Sequence, residues 1–191
     1  MTTPLISANG LAAIRGERLL FKEVSLRAGS GETLLLRGSN GAGKTTLLRI
    51  LAGLTRPAEG DVARSGSFHW IAHRTGLKPH ETPREHLRLW ARAWGVPAEN
   101  LDTILAEAGL KRPADVPARL LSAGQRQRTA LARLKLDPRP LWLMDEPFSA
   151  LDVDARAALN RDMREHCAAG GAIIAAVHGD VGMTAGRELR L

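Results

Sequence analysis

Apolar residues recur along this chain in two rhythms. Short runs bounded by turn residues fall at Pro4–Ala8, Val24–Ala28, Thr33–Arg37, Phe68–Ala72, Leu141–Asp145 and Ala172–Val177. Their length and their Gly, Pro and Asp flanks predict strands. Between them, apolar positions three and four apart predict helices over Thr45–Ala52, Pro83–Trp94, Leu101–Ala108, Ala123–Leu136 and Val153–Ala168. Strands alternating with helices give an α/β fold, a mostly parallel sheet covered by helices. One interval breaks the alternation: from about residue 76 to 121 helical patterns and Pro-containing connections follow one another without a strand. It reads as a helical lobe inserted into a core of about 1–75 and 122–191, so that residues 1–191 make one domain. Within the lobe Leu87, Trp90 and Trp94 share a helical face, which serves either as packed surface or as a groove for a partner.

The interruptions between these elements carry the chemistry. Gly38-Ser39-Asn40-Gly41-Ala42-Gly43-Lys44-Thr45-Thr46 follows the run ending at Arg37 and satisfies G-x-x-x-x-G-K-[ST]. Glycines let successive backbone N–H groups curl inward onto phosphate oxygens, and the helix N-terminus behind them adds its positive end. Lys44 is placed to reach β- and γ-phosphates and the Thr45 hydroxyl to hold Mg²⁺. The loop therefore predicts a nucleotide. Asp145 and Glu146 end the apolar run PLWLMDEP, where one carboxylate can approach Thr45 and the metal while its neighbour polarises a water in line with the γ-phosphate. His178 follows the run ending at Val177, so a strand delivers its imidazole to the same sheet edge. Ser122 and Gly124 open a further helix, a second N-terminal anion site.

Composition narrows the partners. The formal charge is +7, yet the arginines are scattered singly and no aromatic series interleaves them, which argues for a solvated basic face and against nucleic acid. The single cysteine, Cys167, excludes an internal disulfide framework. The stretch MTTPLISANGLAA has no basic region ahead of an apolar one, and no uncharged apolar run reaches the ~18 residues a membrane span needs. A membrane role would have to come through partner chains.

The order of motifs carries a resemblance. Behind the phosphate loop come Leu121-Ser122-Ala123-Gly124-Gln125, then LWLMDE, then Ser149-Ala150-Leu151-Asp152, then His178. Over nearly its whole length the sequence resembles the ATP-binding-cassette ATPases. LSAGQ is similar to their signature LSGGQ with one Gly-to-Ala change, LWLMDE to Walker B, SALD to the D-loop and His178 to the switch histidine. The resemblance implies a P-loop NTPase core with a mostly parallel sheet, N-terminal antiparallel strands and an inserted helical lobe. It implies ATP and Mg²⁺ as ligands, with hydrolysis coupled to transport. Lys44, Glu146 and His178 would be catalytic, Thr45 and Asp145 would hold the metal, and residues 38–46 would cradle the phosphates. Ser122, Gly124, Gln125 and Asp152 would complete the site across a head-to-tail, ATP-dependent dimer of two copies. Integral membrane subunits would be partners, with this chain peripheral on the cytoplasmic face of the bacterial inner membrane.

Two positions depart from the family pattern. Arg15 stands where an aromatic residue commonly stacks on adenine, and His73 where a glutamine follows the Phe68–Ala72 strand. A guanidinium plane can also stack on a base, and an imidazole can still reach a metal shell or a water. A narrower likeness lies in HRTGLKPHETPREHLRLWA, RGERLLF and DPRPLWLMDEP, which are similar to the ATP-binding subunits of bacterial cytochrome c maturation haem exporters. That likeness implies haem export or release of a haem chaperone. The residues themselves do not speak of haem: there is no C-x-x-C-H, and no histidine stands in a ligand context. An exporter ATPase with another cargo is the alternative. A cassette ATPase acting on DNA or ribosomes fits less well, since no long coiled coil or second cassette is present.

Overall fold

Runs apolar at every position, rather than at alternate ones, need cover on both faces. Leu141–Asp145 and Ala172–Ala176 are buried at every residue and occupy the middle of a sheet. A computed structural model describes residues 4–182 and 186–191; the first three residues of the N-terminal stretch read above for a targeting signal lie outside it. The elements run β1 (Ile6–Arg15), β2 (Arg18–Ala28), β3 (Thr33–Arg37), α1 (Lys44–Leu51), β4 (Glu59–Arg64), β5 (Phe68–Ile71), α2 (Pro83–Trp94), α3 (Leu101–Glu107), α4 (Ala123–Ala132), β6 (Leu141–Asp145), α5 (Val153–Ala168), β7 (Ala172–Ala176) and β8 (Arg187–Arg190). Short 3₁₀ turns stand at Ala118–Leu120 and Arg133–Lys135. No described helix is long and apolar enough to cross a membrane.

The chain divides into two compact units. The first takes the residues up to Trp70, Arg139–Glu146 and those from Asn160 on. Its five-stranded sheet has the order β5-β6-β7-β3-β8, with β6–β7, β7–β3 and β3–β8 parallel. A three-stranded antiparallel sheet, β2-β1-β4, completes it. Leu36, Leu47, Leu48, Leu51, Leu143 and Ile174 form the centre of its core, so α1 is seated by its apolar face against the parallel strands. The second unit comprises Ile71–Pro138 and Pro147–Leu159. There Leu87, Leu101, Leu105, Leu110 and Ala132 gather α2, α3 and α4 around a separate core.

Local chemistry explains the element ends. Thr82 and Glu85 form a reciprocal capping box at the start of α2, Pro83 takes the first helical position, and Gly95 closes the helix at φ 69°. Trp90 is half-buried and packs against its own unit: its Nε1 donates to His86 Nε2 at 3.1 Å, and Arg133 lies 4.6 Å above its ring. Burial pushes the Arg133 guanidinium down to about 10. The His86 Nδ1–Glu81 contact is 2.9 Å, and because Nε2 accepts the hydrogen bond from Trp90 the ring is held neutral at 2% exposure.

Some boundaries differ from the pattern of apolar positions. β1 starts two residues into the Pro4–Ala8 run, and both β1 and β2 extend toward the hairpin turn at Gly16 (φ 62°), which pairs Arg15 with Arg18 and Ile14 with Leu19 at an exposed tip. β4 (EGDVAR) and β8 (RELR) escape the pattern altogether: both lie at sheet edges, largely exposed, and need no apolar alternation. The helix expected to reach Leu136 leaves α geometry after Ala132, as the backbone tightens ahead of Asp137-Pro138.

His166 near the end of α5 stacks on Trp142 of β6 with ring centres 4.0 Å apart and planes 11° from parallel. Its Nε2 is buried without a hydrogen-bond partner among the described residues. Burial holds its pKa below the ordinary histidine value, opposed by the nearby carbonyls of Ala172 and Pro140. The unfolded chain therefore takes up this proton first as pH falls, and the stability contributed is present above about pH 6.5 and lost below it. His166→Phe keeps the stack and removes the titration. Its melting temperature should fall less than the wild type's between about pH 7.5 and 5.5; equal falls would exclude His166 as a source of acid sensitivity.

Candidate nucleotide-binding site

β3 runs straight into the glycine loop and the loop into α1, as the spacing predicted. Gly38 (φ 146°) and Gly43 (φ 105°) hold conformations that side chains resist. A Cβ on Gly38 would sit 2.8 Å from the Leu191 carbonyl oxygen, and one on Gly43 would sit 2.9 Å from Phe21 Cδ1. β2 thus packs directly on the loop. α1 has no side-chain cap, so its first backbone donors are left for another acceptor. Lys44 is 6% exposed, and its Nζ donates to the carbonyls of Gly38 at 2.7 Å and Ser39 at 3.0 Å. A cation so withdrawn from water needs acceptors; here the loop's own carbonyls supply them.

The other charged groups arrive from β6 and β7. Asp145, 2% exposed, accepts a hydrogen bond from Thr45 Oγ1 at 2.9 Å, which ties α1 to the end of β6. Glu146 follows at φ 52°, a left-handed turn that costs a residue with a side chain about 1–3 kcal/mol. Its N–H still donates to Ala176 O at 3.0 Å, so the kink redirects the carboxylate without breaking the ladder. Glu146 Oε1 lies 3.0 Å from His178 Nε2. Since β6, β7 and β3 are neighbours, Lys44, Thr45, Asp145, Glu146 and His178 stand at the carboxyl edge of one sheet, where open α/β sheets bind ligands.

No group of three or more His, Cys, Asp or Glu side chains able to hold a metal occurs among the described residues. The Thr45–Asp145 pair instead offers one hydroxyl and one carboxylate, the sparse oxygen set that suits Mg²⁺ when phosphate and water complete its shell. Arg15 lies at the exposed tip of the β1–β2 hairpin, the hairpin whose Leu20 and Phe21 reach Gly43.

In the second unit, Ser122 caps α4 in a reciprocal box: its Oγ accepts from Gln125 N–H at 3.1 Å, and Gln125 Oε1 accepts from Ser122 N–H at 2.8 Å. Ala123, the departure from the signature pattern, is exposed. Gly124 is different, for a Cβ there would sit 2.8 Å from the Ala150 carbonyl oxygen. Asp152 Oδ1 accepts from Ala155 N–H at 2.8 Å and caps α5, while His73 is exposed just after β5. Sequence reading missed two residues of this unit. Ala150 takes φ 60° to present its carbonyl to Gly124, and buried Gln127 donates through Nε2 to Pro147 O at 3.0 Å. A second glutamine, two residues after the capping one in the same helix, was the available signal for the second; nothing in SALD marked the first.

A glycine loop of the phosphate-binding pattern, a strand-end carboxylate and a histidine paired with its neighbouring glutamate at one edge of a parallel sheet define a P-loop protein. Residues 21–149 match the ABC transporter family, and the chain belongs to it as an ATP-binding ATPase. It is 56% identical to the cytochrome c biogenesis ATP-binding export protein CcmA of Hyphomonas neptunium, over 100% of this chain and 98% of that protein. The proteins of the same name from Methylococcus capsulatus and Rhodopseudomonas palustris (strain BisB5) are 45% and 43% identical, covering 93% and 97% of this chain and the same shares of their own lengths. Among solved structures, an ATP-binding subunit of an ABC transporter superposes with a TM-score of 0.82 at 29% identity, covering 91% of this chain and 79% of that one. An ABC transporter ATP-binding protein of Pyrococcus furiosus shares the fold at 18% identity, with a TM-score of 0.81 and coverage of 97% and 96%.

Gly43→Ala tests the loop geometry. The methyl must displace Phe21 and hold φ 105°, so folding stability should fall by about 1–3 kcal/mol. ATP affinity, measured by calorimetry, should fall at least about tenfold, equivalent to ~1.4 kcal/mol. Wild-type affinity in a folded variant would show that the loop's shape does not matter to the ligand.

Proposed function

We propose that this chain is the ATP-hydrolysing subunit of an exporter serving c-type cytochrome biogenesis, powering haem export or the release of a haem chaperone. One arrangement carries the hydrolytic part: Lys44, Thr45, Asp145, Glu146 and His178 converge on a single sheet edge. The full-length likeness to cytochrome c biogenesis export proteins supports the biological part.

The residues divide the work. Lys44 exchanges the Gly38 and Ser39 carbonyls for β- and γ-phosphate oxygens, and the donors of residues 38–46 wrap the chain of phosphates. Thr45 and Asp145 would hold Mg²⁺, which when bound neutralises charge on those oxygens. Glu146 polarises the attacking water, and His178, released from Glu146, hydrogen-bonds a γ-phosphate oxygen. Arg15 stacks its guanidinium on the base, and His73 hydrogen-bonds the water or the metal shell. Residues 1–191 act as a single nucleotide-binding domain. Ser122, Gly124, Gln125 and Asp152 close over ATP held by a second copy, so that ATP joins a head-to-tail dimer and hydrolysis parts it. Integral membrane subunits hold that dimer at the cytoplasmic face of the inner membrane.

Glu146→Gln keeps size and hydrogen bonding but removes the charge that polarises water. The variant should bind Mg-ATP, accumulate as a dimer in sedimentation, and hydrolyse at least about a hundredfold more slowly. Cells relying on it should lose covalently haem-bearing c-type cytochromes while keeping b-type ones, read by haem-stained gels and difference spectra. Normal c-type levels alongside a confirmed hydrolysis defect would overturn the haem role and leave an exporter of another cargo.

A further inference from the structure

Arg37 lies outside every motif discussed so far, on the last residue of β3 before Gly38, yet its guanidinium reaches the switch histidine's own loop. Its NH1 donates to the Gly179 carbonyl at 2.5 Å and its Nε to Glu188 Oε1 of β8 at 2.6 Å. β8 is itself fixed beside it, for Arg37 pairs with Arg190 and its carbonyl accepts from Leu191 N–H at 3.0 Å. His178 stands between two anchors. On one side Val177 N–H donates to Leu36 O at 3.1 Å; on the other, Gly179 turns away at φ 62° with its carbonyl on Arg37. The ladder can place Val177 but not the residue beyond the end of β7. A charge-assisted hydrogen bond from a side chain that is itself held by a carboxylate is a firm substitute for that missing ladder.

We infer that Arg37, clamped by Glu188, is a positioning residue that braces the Gly179 carbonyl and thereby aims His178. The inference rests on the assignment of His178 to the γ-phosphate. Such a brace acts on the rate and not on the hold on ATP, since the Arg37 guanidinium bonds to Glu188 and Gly179. A displacement of the order of 1 Å in a group that must meet the transition state lowers turnover steeply.

The test is a mutant cycle on the full chain, assayed with whatever membrane proteins copurify with it. Arg37→Met should lower kcat about tenfold and change KM for ATP less than about twofold. In a His178→Ala background the same substitution should do nothing further, because its effect passes through that imidazole. Arg37→Lys, which retains a donor for Gly179, should recover part of the loss. Wild-type kcat in Arg37→Met, or an undiminished additional loss in the His178→Ala background, overturns the brace. A His178→Ala variant with unaltered kcat overturns the assignment beneath it, and the brace falls with it. If Arg37→Met does not fold, Glu188→Ala on the exposed edge strand replaces it: a several-fold kcat loss confined to chains with His178 is expected, and unchanged kcat overturns the proposal.

Discussion

Asp145 is a carboxylate at the end of a strand whose other residues are apolar and buried, and it is itself withdrawn almost wholly from water. Desolvating such a charge costs several kcal/mol unless partners meet it. The Thr45 hydroxyl meets it at 2.9 Å, and that bond constrains much of the first unit. α1 must begin opposite the end of β6, so the loop before it must turn sharply, which only glycines at 38 and 43 allow. β3 must then lie close to β6, and with β7 between them the edge receives Glu146 and His178 as well. The geometry that suits a metal and a nucleotide is also the one that satisfies a buried charge.

Strain and neutrality are distributed unevenly around that edge. Glu146 sits in a left-handed conformation and meets His178, so the two groups proposed to act on water and γ-phosphate hold each other. By contrast, His86 in the second unit is locked neutral between Glu81 and Trp90, and His166 is stacked on Trp142. These two histidines titrate against stability rather than toward a ligand, since burial lowers both.

Much of this was legible in the sequence. β3, β6, α2 and α5 coincide with their apolar runs, because buried strands and amphipathic helices write their burial into residue type. The phosphate loop was legible because its glycines are demanded by backbone geometry. β4 and β8 were not, since edge strands are stabilised by backbone pairing and carry charge by preference. Arg37, Ala150 and Gln127 were hidden for another reason: Arg37 and Gln127 donate to backbone carbonyls distant in sequence, Ala150 brings its own carbonyl against Gly124, and a carbonyl has no signature in residue type.

Nucleotide binding at this sheet edge turns on Lys44 giving up two loop carbonyls to phosphate. Calorimetric titration of Mg-ATP into wild-type protein and Lys44→Ala measures that exchange directly. Loss of the cation should weaken binding by about 10- to 100-fold, as expected for removing a charge-assisted contact from a confined site, with the fold intact. Equal affinity in the two proteins would place the nucleotide somewhere other than this sheet edge and contradict the account.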